Sequence, residues 1–170
     1  MTLNVQDPVT PISNANSYLS LVDARALAAQ YAYTLPVDDE KAEIALIKGF
    51  RYIELKEPKM SGNRLTNEQN SSYPRYGVYI RCQAWPADEF PVELLLAQVI
   101  AADNQSSGVD LSGGVDDGRS IASEQVDVLS VSYFQNGKTG SVVTIPEFDS
   151  TIEPLMCKIG GGAQFVTYRI

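Results

Sequence analysis

From Pro91 to Ala102 the chain reads Pro-Val-Glu-Leu-Leu-Leu-Ala-Gln-Val-Ile-Ala-Ala, a helix start followed by apolar residues on almost every side. Proline suits a first helical position because its missing N–H would have no partner there. Val92, Leu95, Leu96, Val99 and Ala102 make one face, and Leu94, Ala97, Ile100 and Ala101 make most of the remainder apolar as well. A helix apolar nearly all round has to be covered on both sides. It is therefore either the central helix of the domain, or a helix whose second face, Leu94, Ala97, Ile100 and Ala101, meets a neighbouring subunit. The run is far too short to span a bilayer, so a soluble domain is expected.

Three other helices are expected around it. The first runs from about Leu21 to Tyr33, started by a capping box of Ser20 and Asp23 and ended by Pro36. The second begins at the cap Asp38, carries Asp39 and Glu40 in the first turn where the helix dipole favours negative charge, and stops at Glu57-Pro58. Its core face is Ala42, Leu46, Phe50 and Ile53. A short fourth helix opens at Pro146 and reaches about Glu153.

Residues 59–90 are punctuated too often by Gly, Pro, Asn and Ser for a long element, with a short strand expected from about Gly77 to Cys82. Residues 106–118 read as a flexible acidic loop. Asp110 to Asp116 lacks the carboxylate spacing and terminal Glu of a calcium-binding EF-hand loop. From Ser120 the apolar period changes to two, with a phase slip near Val128 that suits a bulge, and Asn136-Gly137 signals a hairpin returning through Ser141 to Ile145. The fold class is α+β: a mainly helical domain of about four helices with a small antiparallel hairpin or sheet. The expected organisation is an extended N-terminal arm over 1–16, one domain over 17–157, and a C-terminal tail over 158–170.

That tail starts from Gly160-Gly161-Gly162, after which Val166, Tyr168 and Ile170 alternate with Thr167 and Arg169. Three consecutive glycines read as a hinge, and the segment beyond them is strand-prone. The tail either folds back on its own sheet or adds to another chain, through Phe165, Val166, Tyr168 and Ile170.

Composition narrows the chemistry. The net charge is −8, which repels a phosphate backbone, and no histidine is present. The commonest neutral-pH base and metal ligand is therefore missing. No Gly-x-Ser-x-Gly, phosphate loop or metal-ligand spacing occurs, and the carboxylate pairs Asp38-Asp39 and Asp116-Asp117 read as solvated charge. No catalysis and no cofactor are expected. Cys82 and Cys157 lack a Cys-x-x-Cys spacing and read as two reduced thiols. Residues 1–12 hold no Lys, no Arg and no apolar run, so they read as an arm and not a targeting segment.

The order of pieces carries a resemblance. An arm ending in Ala-Asn-Ser-Tyr-Leu-Ser-Leu leads to an Ala-rich helix, then to Asp39-Glu40-Lys41-Ala42-Glu43-Ile44-Ala45-Leu46-Ile47 and Arg51-Tyr52-Ile53. Gly62-Asn63-Arg64, Gln69 and Tyr73-Pro74-Arg75-Tyr76-Gly77-Val78 come next, then the Pro-initiated helix and a Ser-Glu-x-Val strand. Over about residues 14–157 this resembles the head-tail adaptor, or head-completion, proteins of tailed bacteriophages, many of which carry the description of DnaT-like single-stranded-DNA-binding proteins. Those relatives commonly have Trp-Pro-Arg where this chain has Tyr73-Pro74-Arg75. The stretch Tyr79 to Glu89 is longer than the resemblance implies, and the tail after residue 157 lies outside it.

The resemblance implies a connector-type domain in the virion neck, a homo-oligomeric and dodecameric ring beneath the portal protein that extends the DNA channel and docks a tail or nozzle protein. Acidic side chains facing the channel would let packaged double-stranded DNA slide without sticking. It also implies an alternative, single-stranded-DNA binding, for which the best candidates are Arg75, Tyr76 and Arg81. Such binding needs a basic groove with stacking aromatics.

Overall fold

The computed structural model describes residues 2–109, 111 and 144–157. Among the described residues, four helices, α1 (Leu21–Gln30), α2 (Asp39–Glu54), α3 (Val92–Ser106) and α4 (Pro146–Ile152), are accompanied by 3-10 turns at Glu57–Lys59 and Glu153–Leu155 and by four two-residue strands. β1 (Asn63–Arg64) pairs antiparallel with β2 (Arg75–Tyr76), and β3 (Tyr79–Ile80) with β4 (Gln83–Ala84). The class is α+β. Among the described residues no helix is long and apolar enough to cross a membrane.

Helix α3 is the centre of the domain. Leu94, Ala97, Val99, Ile100, Ala101 and Ala102 are all 0 % exposed. Helices α2, α4 and α1 of the same chain pack around them. The second apolar face is thus covered from within, which corrects the subunit-interface role given to Leu94, Ala97, Ile100 and Ala101: in this conformation none has surface to offer a neighbour. The closest approach is at Gly49 of α2, where an added Cβ would lie 2.8 Å from the Gln98 carbonyl and 3.3 Å from Ala101 Cβ. Helix α1 fits the remaining side with small residues, Ala24 and Ala28, against Ala45, Leu46, Val99 and Ala102.

The helix starts follow the local chemistry. Ser20 Oγ accepts from the Asp23 N–H at 3.1 Å and donates to the Asp23 carboxylate at 2.5 Å, so the box closes hydroxyl to carboxylate. Asp38 Oδ1 accepts from Glu40 N and Lys41 N. Pro91 occupies the cap position of α3 with extended backbone, one residue earlier than expected.

Two boundaries differ from the expectation. Helix α1 ends three residues early because Ala32 turns left-handed (φ 61°) and lets Tyr33 N–H reach the Ala28 carbonyl, a six-to-one closure usually given to glycine. The single strand over 77–82 is instead a tight hairpin whose corner, Arg81 (φ 53°) and Cys82 (φ 66°), has both central residues left-handed, as a type I′ turn requires. Neither place carries the glycine or asparagine that would have announced it.

Residues 2–17 lie against their own domain. Val5 bridges Ser17 in parallel, Asn4 and Asn16 exchange hydrogen bonds, and the 3 % exposed Gln6 donates to Ser71 Oγ at 2.6 Å. Most of the expected acidic loop, the hairpin strands and the tail with Phe165, Val166, Tyr168 and Ile170 lie outside the described residues.

Candidate functional site

The densest polar arrangement sits between the end of α2 and β2, and it gathers the motif residues that carry the resemblance. The register of the small sheet sets Arg64 opposite Arg75, a like-charge pair that needs compensation. Glu57 supplies it from the 3-10 turn, accepting from Arg64 Nε and Nη2 as a two-pronged pair, with Arg75 Nη1 at 3.6 Å. The hydrogen bond from Arg64 is the main cause that holds the Glu57 carboxyl below its ordinary range and raises Arg64 in return.

Arg75 spends its remaining donors on main-chain carbonyls: Nε to Ser61 at 2.8 Å, Nη1 to Ser72 at 3.1 Å and Nη2 to Gly62 at 2.7 Å. Gly62 (φ 71°) is required there, since a Cβ would stand 2.4 Å from the Tyr76 carbonyl. Gln69, 2 % exposed, donates to the Ser71 and Pro74 carbonyls and accepts from Thr66 N–H, fixing the loop that enters the cis Tyr73-Pro74 bond. The Gly62, Arg64, Gln69 and Arg75 positions thus form one knot.

A second network lies behind it. Glu54 accepts from Tyr18 Oη at 2.5 Å, Ser72 N at 2.6 Å and Ser72 Oγ at 3.0 Å. Tyr18 Oη in turn accepts from Tyr73 N–H at 3.1 Å. These donors are neutral, so burial dominates and raises the Glu54 carboxyl above its usual range; burial likewise pushes Tyr18 well up. Ser72 beside a carboxylate has the form of a nucleophile beside a base, yet Ser72 is 0 % exposed and no substrate reaches it. On the helical side, Gln98 accepts from Tyr18 N–H and donates to Ser17 Oγ and the Leu46 carbonyl, pinning α3 to the segment ahead of α1 and to α2. Tyr73 Oη is buried without a partner among the described residues.

Against this geometry the expected nucleic-acid contacts separate. Arg75 is 7 % exposed and committed to the knot, which removes it as a phosphate contact. Tyr76 is 52 % exposed on the neighbouring position, and Arg81 is exposed at the hairpin corner, 3.2 Å from Glu93. Glu54, Glu57 and Gln98 were missed in the sequence; the only signal was a polar residue interrupting an otherwise apolar helix face, as Gln98 does. Among the described residues no group of three or more Cys, Asp or Glu side chains is placed to hold a metal ion.

Comparison with curated proteins and with solved structures finds no match to either. A family model matches the whole of residues 1–170, and by that match the chain belongs to the family described as "Putative DnaT-like ssDNA binding protein".

Proposed function

We propose that this chain is a structural virion protein, a head-tail adaptor that assembles as a ring beneath the portal, extends the DNA channel and docks the tail. The observation that carries the reading is the fate of Arg75. The Arg of the Tyr-Pro-Arg motif that carries the resemblance is spent on three of the chain's own carbonyls and the Glu57 carboxylate, so it builds a corner of the fold and is not free for a ligand. A net charge of −8 suits a channel wall past which DNA slides. The reading needs no cofactor and no catalytic group. The tail residues Phe165, Val166, Tyr168 and Ile170 are proposed to reach the portal or a neighbouring copy. Mixing the purified chain with portal particles and imaging them by electron microscopy tests this: an added ring density supports it, and bare portals at saturating protein sink it.

The family description favours a second reading, single-stranded-DNA binding. Exposed Tyr76 and Arg81 are the residues left to serve it. Anisotropy of a labelled oligothymidylate across a salt series separates the two. Tight binding at physiological salt would remove the adaptor as the sole function.

A further inference from the structure

The outer face of α2 carries a stripe that the knot does not use. Lys41, Ile44, Lys48, Arg51 and Leu55 succeed one another at spacings of three and four, so they lie on one side of the helix. Ile44 is 37 % and Leu55 67 % exposed. Among the described residues, Arg25, Lys56, Arg64, Arg75 and Arg81 all stand in ion pairs, whereas no ion pair forms at Lys41, Lys48, Arg51 or Lys59, and the first three of these share the stripe. Lys48, Arg51 and Leu55 also rim a cavity of about 530 Å³ whose lining is completed by Phe50, Tyr52, Glu54 and Leu111. In a chain of net charge −8 this concentrates free positive charge around an apolar recess.

The complementary chemistry stands at the other end of the same helix. Val37, 96 % exposed, projects from the turn before α2 and is followed directly by Asp38, which caps the helix, Asp39, which pairs with Arg25 at 2.7 Å, and exposed Glu40. An apolar side chain flanked by carboxylates is what a recess flanked by Lys48 and Arg51 fits. We propose that the occupant of the α2 recess is the Val37–Glu40 corner of a second copy of this chain, Val37 entering the recess and Glu40 pairing with Lys48 and Arg51 while Asp39 keeps Arg25. The two patches are unlike and lie about 20 Å apart along one helix. The contact is therefore heterologous and passes from copy to copy, closing a ring if the rotation between copies allows. It rests on the ring reading and supplies the subunit contact that the buried face of α3 does not. A phosphate backbone fits less well, since it has no apolar group to place against exposed Leu55 at the rim of the recess.

The test uses the full chain, alone at high concentration and with purified portal, treated with a water-soluble carbodiimide that joins carboxylates to lysine amines. Mixed heavy-isotope and light-isotope copies identify links between chains. The expected product joins Lys48 of one copy to Glu40 of another. Val37→Asp and the double variant Lys48→Glu/Arg51→Glu each lower the oligomer by about tenfold or more, the loss of one hot contact, read by light scattering because Lys48→Glu also removes the amine that the carbodiimide couples, with unchanged thermal midpoints. Oligomers that persist undiminished in both variants overturn this surface and leave the ring standing on another one. Absence of every oligomer, with portal present, overturns both. Loss of oligonucleotide affinity in Lys48→Glu/Arg51→Glu while oligomers persist assigns the stripe to nucleic acid, against the proposal.

Discussion

The helical half and the knot over residues 57–76 are held by opposite means. Around α3 the contacts are apolar and close, with Gly49 admitting the Gln98 carbonyl where any side chain would collide, and Gln98 is a fully buried polar pin. In the knot there is little regular structure, and a guanidinium fork bonding three carbonyls does the work of a sheet. The first kind of packing tolerates no added volume. The second tolerates no loss of donor geometry.

The largest break in that contrast is expected at Gly49. Gly49→Val should cost about 3 kcal/mol through overpacking against backbone that cannot retreat. Helix propensity alone would favour a residue other than glycine there, so a gain in denaturant midpoint would show that the helices separate readily. Arg75→Lys keeps the charge but leaves carbonyls of Ser61, Ser72 and Gly62 short of donors, and about 2 kcal/mol should be lost. A neutral result in urea unfolding would mean that charge, not the fork, holds the knot.

A smaller effect of opposite sign is expected at Tyr73. Its buried hydroxyl has no partner among the described residues, so Tyr73→Phe should gain about 1 kcal/mol by removing an unsatisfied group, read as a raised melting temperature. Ala32→Gly should also stabilise, by about 1 kcal/mol, since glycine holds a left-handed closing residue without strain. A loss at Ala32 would show that the end of α1 is fixed by packing.

The two carboxylates of the knot sharpen the comparison through pH. Glu57 titrates below its ordinary range in the fold, so its contribution is present above the unfolded value and is lost as pH falls through the folded one. Glu54 titrates above its ordinary range, so its contribution is complete below the unfolded value and is lost as pH rises through the folded one. Stability should therefore pass through a maximum in mildly acid solution. Glu57→Gln should flatten the acid side of that maximum and leave the other. A profile that falls steadily from neutral pH in the parent chain would contradict the placement of Glu54.

Legibility in the sequence divides along the same line. The caps Ser20 and Asp38 and the apolar face of α2 act through near neighbours, and near neighbours are what spacing records. The all-round apolarity of α3 established that it is covered but not by what, because coverage is a property of partners far along the chain. The knot joins residues up to fourteen positions apart through main-chain carbonyls, which every residue has and no side-chain pattern advertises. Arg75 therefore looked like a surface cation. The α2 stripe was hidden differently: Lys48 and Arg51 look like ordinary solvated flank until five of the other described cations are seen to be paired.

Gln6 has a consequence for how the molecule breathes. Its amide reaches Ser71 across 65 positions while also closing the loop that begins the chain. Opening that loop means withdrawing a buried amide from the neighbourhood of the knot, so the first residues cannot fray one at a time as chain ends commonly do. In hydrogen exchange the Gln6 and Asn16 amides should slow together with that of Ser72, as one cooperative unit. Anything fused directly ahead of Leu3 would be felt at Tyr73.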